Sequence, residues 1–176
     1  MTTTIFETPR LRARRLDSGD VDALLSVYGN TEVVRWVGDG HPLSRERCEQ
    51  WVEVTQDNYR TRGYGMFTLK HKLSGQIVGF CGLVHPAGQP EPEIKYALHQ
   101  AVWGQGLATE AAGGLLAYGV TEHHLTRIIA TAAPENTASH RVLAKAGMTL
   151  GPLRTNLDGS QTQVFVWSGS ECANAA

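Results

Sequence analysis

Two glycines separated by one residue lie in the middle of the chain, between a strand-like run and a helix-like run. Residues 103–110 read Trp-Gly-Gln-Gly-Leu-Ala-Thr-Glu; residues 93–98 before them are typical of a strand, and 108–122 are typical of a helix. The first amides of a helix have no helical partners, and the helix dipole favours negative charge there. Because Gly104 and Gly106 lack side chains, a phosphate can come close to the backbone. The stretch is a candidate anion-binding turn, although many Gly-x-Gly pairs are ordinary turns.

Length and composition restrict the class of protein. The 176 residues predict one domain, with a core at 8–168 and a frayed tail at 169–176. A net charge of −1, with acidic and basic residues interspersed, argues against a nucleic-acid or membrane-surface protein. No apolar run is long enough to span a membrane, and the N-terminus has no signal-peptide pattern. We therefore expect a cytoplasmic protein.

The cysteines and histidines do not predict a metal site. Cys48, Cys81 and Cys172 are odd in number and form no Cys-x-x-Cys pair, which disfavours a disulfide framework and structural zinc. A lone cysteine can be a nucleophile, but Cys81 lies in the apolar run 77–84, where a small buried hydrophobe is the interpretation that we favour. His99, His123, His124 and His140 lack zinc-ligand spacing and are interpreted as surface residues.

The order of the elements predicts the fold class. The expected strands are 9–16, 65–71, 76–84, 93–99, 127–132, 148–153 and 161–168. The expected helices are 17–29, 32–37, 44–62, 108–122 and 134–145. Hairpins in the first half and a β-α-β unit after residue 93 predict an α/β (α+β) fold with a mixed, mostly antiparallel sheet of about six to seven strands and helices on both faces. In open α/β sheets ligands bind beyond the carboxyl ends of strands where the order switches, and the Gly-rich turn follows such an end.

Four short motifs follow one another along the chain. They are Thr-Pro-Arg-Leu at 8–11, Glu-Ile-x-Tyr at 93–96, Trp-Gly-x-Gly-x-Ala-Thr-Glu-Ala at 103–111, and Pro-x-Asn-x-x-Ser-x-x-Val-Leu-x-Lys-x-Gly-Met at 134–148. With the element order, they resemble the GNAT N-acetyltransferase superfamily over residues 8–167. Trp103 stands where the family's acyl-CoA motif usually has Arg or Gln. This form looks like the branch that includes the ribosomal-protein N-terminal acetyltransferases.

The resemblance implies that acetyl-CoA is a co-substrate and that no metal is needed. Its pyrophosphate would lie on the backbone amides of 104–109, and its pantetheine arm would pair with strand 93–99 like an added strand. The chain has no P-loop lysine and no suitably placed downstream acid, which disfavours an NTPase or an NAD-binding protein. The expected cofactor-binding residues are Leu98, Trp103, Gly104, Gln105, Gly106, Leu107, Ala108, Thr109, Asn136 and Ser139.

Two of these residues have further expected roles. A backbone amide near Leu98 would stabilise the oxyanion of the tetrahedral intermediate. Asn136 resembles the family asparagine that hydrogen-bonds the pantetheine arm, and asparagine also suits a helix N-cap.

Glu110, in the first turn of its helix, is interpreted as a dipole partner or a structural contact rather than a base.

Ser139 and Glu93 are the expected catalytic residues. Direct attack of an amine on the thioester needs a deprotonated amine and a protonated or stabilised thiolate. Many family members supply the acid as a tyrosine seven residues after the asparagine, but this chain has Leu143 there. Ser139, one helical turn after Asn136, is the substitute; it could also be an ordinary helix-surface serine. Glu93 matches the strand glutamate that some members use as base; it could also be an exposed strand carboxylate.

The predicted function is transfer of the acetyl group to a primary amine, on a protein N-terminus or a small molecule. The family resemblance places the acceptor across the sheet and is compatible with a homodimer. The candidate acceptor residues are Trp36, Val37, His41, Trp51, Tyr59, Tyr64 and Met66.

One alternative function is an acyl-CoA sensor or regulatory module with little or no catalysis. Another is transfer of an acyl group other than acetyl, or transfer to a drug such as an aminoglycoside. The acceptor side has no run of Asp and Glu, so a strongly cationic drug is a less suitable acceptor.

Overall fold

The computed structural model describes residues 3–169, so Cys172 and the predicted frayed tail beyond residue 169 lie outside the described residues. The strands are β1 (Thr4–Glu7), β2 (Leu11–Arg15), β3 (Met66–His71), β4 (Ile77–Val84), β5 (Glu93–Leu98), β6 (Arg127–Ala132), β7 (Thr149–Thr155) and β8 (Gln161–Ser168). The helices are α1 (Val21–Tyr28), α2 (Thr31–Val34), α3 (Arg45–Arg62), α4 (Leu107–His123) and α5 (Thr137–Lys145). None of the helices in this part of the chain is long and apolar enough to cross a membrane.

The strands form one sheet in the order β1-β2-β3-β4-β5-β6-β8-β7. Only β5 and β6 run parallel; the other neighbours are antiparallel. The predicted mixed, mostly antiparallel sheet is confirmed, with eight strands instead of six or seven. The unpredicted strand is β1, whose adjacent Ile5 and Phe6 do not give the alternation that marks a strand. Its strand conformation comes from pairing with β2.

The two faces of the sheet carry different helices. On one face, Leu107, Ala111 and Leu115 of α4 pack in the same buried cluster as Ile94 and Leu98 of β5. On the opposite face, residues of α1, α2 and α3 pack in a second cluster that includes Phe80 of β4 and Ala97 of β5. Because strand side chains alternate, Glu93, Lys95 and Ala97 face α1–α3, and Ile94, Tyr96 and Leu98 face α4 and α5.

A glycine in α4 makes room for β1. A Cβ atom on Gly114 would lie 2.7 Å from Cγ2 of Thr8 and 2.8 Å from Cε2 of Phe6. Real side chains do not tolerate such distances, so a larger residue at this position would force the side chains of Thr8 and Phe6 to shift.

The parallel pair β5–β6 separates after two residues. Its register contains only Glu93 opposite Ile129 and Ile94 opposite Ala130, whereas β4 stays paired with β5 as far as Leu98. The amide of His99 donates to the carbonyl oxygen of Val78 (2.9 Å). Since hydrogen-bonding direction alternates along an antiparallel ladder, the backbone groups of residues 96 and 98 point away from β4 and into the gap. The end of β5 is therefore an open strand edge inside the sheet.

Candidate active site

A cavity of about 1170 Å³ occupies the gap between β5 and β6 and continues between the helices on both faces. Nine of the ten expected cofactor-binding residues line it: Leu98, Trp103, Gly104, Gly106, Leu107, Ala108, Thr109, Asn136 and Ser139. Gln105 does not line it; its backbone carbonyl accepts a hydrogen bond from Nη1 of Arg10 (2.9 Å). Arg141 and Lys145 of α5 also line the cavity, and sequence reasoning missed them.

The Gly-rich turn leaves amides free at the start of α4. Gly104 and Gly106 have φ angles of 75° and 76°, which glycine adopts most easily. The first backbone bond of the helix joins the amide of Glu110 to the carbonyl oxygen of Gly106 (3.1 Å), and no side chain caps this end. The amides of Leu107–Thr109 therefore have no helical acceptor. A Cβ on Gly104 would meet no protein atom within 4 Å, so the space in front of this turn is open for an anion.

Glu110 connects the first turn of α4 to the turn between β1 and β2 through hydrogen bonds. Its Oε1 accepts hydrogen bonds from Oγ1 of Thr8 (2.5 Å) and the amide of Arg10 (2.7 Å), and its Oε2 accepts from Nε of Arg10 (2.7 Å). Burial raises the pKa of Glu110, but the hydrogen bonds from Thr8 and Arg10 outweigh it and hold the pKa below its ordinary value. An anionic carboxylate with all of these contacts directed at the turn between β1 and β2 is a structural contact, which confirms the interpretation of Glu110.

Trp103 ties the turn to the end of β5. Its indole Nε1 donates to the carbonyl oxygen of Leu98 (3.0 Å), while 48% of its surface stays exposed. This bond occupies the carbonyl of Leu98, and the Leu98 amide remains on the side of the strand that faces the gap.

Asn136 is the N-cap of α5. Its Oδ1 accepts from the amide of Ser139 (3.2 Å), which satisfies one of the free amides of the helix. Within residues 3–169, its Nδ2 donates to no protein group, and the side chain lines the cavity. The capping role and a ligand contact are compatible because they use different atoms of the amide.

Ser139 faces a tyrosine that sequence reasoning did not assign. Its Oγ lies 3.0 Å from the hydroxyl of Tyr96, and both residues line the cavity. Burial raises the pKa of Tyr96 to about 12, so the phenol keeps its proton at neutral pH. The motif Glu-Ile-x-Tyr contained a usable signal, because Tyr96 is two residues before Leu98 and therefore on the same face of the strand.

Glu93 is buried rather than exposed. Only 1% of its surface is accessible, and its carboxylate accepts hydrogen bonds from the ammonium of Lys95, the hydroxyl of Thr131 and Nε2 of Gln89 (3.0 Å). Lys95 and Thr131 line the cavity and Glu93 does not. The carboxylate thus lies behind the cavity wall and holds two groups on it.

Four of the seven candidate acceptor residues line the cavity: Trp36, Val37, Trp51 and Met66. Tyr59 belongs to the core, where its hydroxyl accepts from the amide of Leu16 (2.9 Å) and donates to the carbonyl of Met66. Tyr64 bonds His85 (2.9 Å), and His41 lines a smaller cavity beside α2. The wall also contains side chains that were not predicted, spaced along one face of α3: Val54, Thr55, Asn58 and Arg62.

Cys81 has no access to the site. It is fully buried, and burial raises the pKa of its thiol well above the ordinary value. A buried thiol that stays protonated is a poor nucleophile, which confirms its interpretation as a small hydrophobe.

Similarity to known proteins agrees with this geometry. The model of the acetyltransferase (GNAT) domain matches residues 10–149. The Bacillus subtilis (strain 168) protein YkkB is 33% identical over 147 residues, which cover 82% of this chain and 85% of YkkB. A GNAT-family acetyltransferase from Bacillus anthracis has the same fold, with a TM-score of 0.79 at 24% identity over 93% of this chain and 97% of that one. RimL, a ribosomal L7/L12 alpha-N-protein acetyltransferase solved with coenzyme A, gives a TM-score of 0.78 at 19% identity over 94% of this chain and 98% of that one. The chain belongs to the GNAT acetyltransferase family.

Proposed function

We propose that the chain transfers the acetyl group of acetyl-CoA to a primary amine, on a protein N-terminus or a small molecule, by direct attack on the thioester. The observation that carries the proposal is the gap between β5 and β6, which joins an anion-binding turn to a separate aromatic pocket in one cavity. Such a passage allows two substrates to meet at the sheet edge from opposite sides. The fold shared with RimL, which was solved with coenzyme A, supports the choice of acyl donor.

Acetyl-CoA fits the cofactor half of the cavity. The free amides of 104–109 bind the pyrophosphate at the N-terminus of α4, and the cations of Arg141 and Lys145 add to the attraction for phosphate. The pantetheine arm pairs with the backbone groups of residues 96 and 98, which face the gap. The Nδ2 group of Asn136 donates to an amide oxygen of the arm.

The same strand edge stabilises the transition state. In this geometry the Leu98 amide donates to the thioester oxygen as it becomes an oxyanion. Ser139 lies on the α5 side of the cavity, where its hydroxyl donates a hydrogen bond or a proton to the leaving sulfur. The C–N bond forms, the C–S bond breaks, and the proton lost by the amine is balanced by the proton gained by the thiolate.

Glu93, which lies behind the cavity wall, is the proposed base for the attacking amine. Since its carboxylate is bonded to Lys95 and Thr131, it accepts the amine's proton through water rather than by direct contact. The ion pair between Glu93 and Lys95 also holds the Lys95 side chain at the cavity wall. The aromatic side chains of Trp36 and Trp51 provide an apolar surface for the carbon frame of the acceptor.

The deciding experiment is a mass-spectrometric screen of small amines and N-terminal peptides with acetyl-CoA, together with calorimetric titration of acetyl-CoA. The proposal expects tight binding of acetyl-CoA and a mass gain of one acetyl group on at least one amine. Binding without transfer over a broad panel would instead favour an acyl-CoA sensor. Absence of acetyl-CoA binding would overturn the proposal altogether.

A further inference from the structure

Tyr96 and Ser139 form a hydroxyl pair across the cavity wall. Tyr96 comes from β5 and Ser139 from the first turn of α5, and their oxygen atoms are 3.0 Å apart. No other group among the described residues hydrogen-bonds either hydroxyl. Two hydroxyls supply two protons, and their mutual bond uses one of them, so the other remains free to be donated into the cavity.

Either hydroxyl can donate the hydrogen bond between Tyr96 and Ser139. Both residues are partly buried, and the ring of Tyr96 packs against the buried cluster around α4. When the phenol donates to Ser139, the serine proton is left pointing into the cavity. A hydroxyl that accepts one hydrogen bond becomes a stronger donor in the next, because the two bonds polarise each other. Leu143, buried on α5, has no proton to offer, and the phenol beside Ser139 is that of Tyr96 on β5.

We propose that Tyr96 acts through Ser139 as the proton source for the leaving thiolate, an inference that rests on the proposed acetyl transfer. When the C–S bond breaks, its electron pair stays on sulfur. Ser139 transfers its proton to the sulfur and takes the proton of Tyr96. The phenolate then regains a proton, through solvent, from Glu93, which has accepted it from the nitrogen that attacked. The balance is one amine and one acetyl-CoA consumed, and one amide and one free thiol formed.

Tyr96→Phe tests this role, because it removes only the hydroxyl and keeps the ring that packs against α4. We expect kcat to fall about tenfold or more, with the acetyl-CoA dissociation constant within about twofold of the wild-type value. Tyr118→Phe is the matched control, since that hydroxyl is bonded to His123 (2.8 Å) and its ring lies in the same core away from the cavity wall. It should keep the wild-type kcat.

A double-mutant cycle with Ser139→Ala separates the relay from independent effects. If Tyr96 acts through Ser139, the double variant loses no more than about twofold beyond Ser139→Ala alone. A proton inventory in mixed H2O and D2O should be curved for the wild type and linear for Tyr96→Phe. Wild-type kcat in Tyr96→Phe, or multiplied losses in the double variant, would overturn the relay and leave acetyl transfer standing. A wild-type protein that transfers no acetyl group would overturn both.

Discussion

The indole of Trp103 donates a hydrogen bond of 3.0 Å to the carbonyl oxygen of Leu98. The bond links the turn at the start of α4 to the last residue of β5, which are the two parts of the proposed cofactor site. The acyl-CoA motif of the family usually has Arg or Gln at the position of Trp103, which would place a charge or an amide there. In this chain an aromatic ring provides the link.

Trp103→Phe should weaken the link without unfolding the protein. Losing one neutral hydrogen bond of about 1 kcal/mol corresponds to about a fivefold higher KM for acetyl-CoA. The ring is half exposed, so the melting temperature should change little. Trp36→Phe is the control: Trp36 has similar exposure (42%) but lies on the acceptor side, so it should raise the KM of the amine instead. An unchanged KM for acetyl-CoA in Trp103→Phe would contradict the link.

Gly104→Ala should block the phosphate site. The substitution places a Cβ in the open space in front of the turn and forces alanine into a left-handed backbone conformation, which costs about 1 to 2 kcal/mol. Gly75→Ala controls for that strain, because Gly75 has a φ of 70° and equally open space in the β3–β4 turn. Both variants should lose similar stability in urea unfolding, but only Gly104→Ala should bind acetyl-CoA about tenfold or more weakly by calorimetry. Equal affinities would exclude a phosphate at Gly104.

Asn136→Asp should separate the capping role of Asn136 from its ligand contact. Aspartate keeps an oxygen for the Ser139 amide and suits a helix N-cap, but it lacks the Nδ2 donor. We expect unfolding like the wild type and weaker binding of acetyl-CoA. Asn136→Ala removes both functions and should also lose about 1 kcal/mol of stability. If Asn136→Asp binds acetyl-CoA as tightly as the wild type, the amide donor has no part in binding.

Glu93→Gln should slow turnover more than it weakens acetyl-CoA binding. The amide cannot accept the amine's proton, so kcat should fall about 100-fold, while the acetyl-CoA dissociation constant stays within about twofold. Glu91→Gln changes a partly exposed carboxylate two residues earlier and should behave like the wild type. A wild-type kcat in Glu93→Gln would reduce Glu93 to a structural partner of Lys95.

The pair Arg14–Asp20 should make stability depend on pH in the acid range. Burial raises the pKa of Asp20, but hydrogen bonds from Arg14, the Asp17 amide and Thr68 outweigh it and lower the pKa below its ordinary value. A lowered pKa in the folded state stabilises the protein fully above the unfolded-state pKa, and this contribution is lost as pH falls through the folded-state pKa. Urea unfolding should show this loss below about pH 4.

Asp20→Asn should remove that part of the acid dependence and cost about 3 kcal/mol at pH 7, because it leaves the mostly buried Arg14 with only its longer contact to Asp17 (3.4 Å). Asp57→Asn, which changes an exposed pair with Arg60 on α3, should leave both the stability and its pH dependence near wild type. An unchanged acid transition in Asp20→Asn would assign the pH dependence to other carboxylates, with Glu110 as the next candidate.

Local patterns in the sequence predicted most elements of the fold. The strands β6 and β8 have the predicted bounds, and α4 differs by one residue at each end. Such elements have strong alternation, glycine stops or a clear helical run, all of which act between near neighbours. The strand β1 was missed because its pairing with β2 and its packing on Gly114, rather than its own residues, make it a strand. Tyr59 was counted in the acceptor wall for a similar reason, since helical spacing does not reveal which face of α3 meets the core.

By itself, the sequence determined the glycine turn and the start of α4, because two glycines and a helix start are consecutive residues whose backbone geometry is local. Tertiary structure alone decided what stands opposite that turn. The separation of β5 from β6 depends on the whole sheet, and so does the meeting of Tyr96 with Ser139, which is 43 residues away. Burial of Glu93 behind Lys95 likewise depends on β6, which supplies Thr131. The turn presents its free amides through its own backbone, whereas the proposed catalytic groups meet only because distant strands and helices pack together.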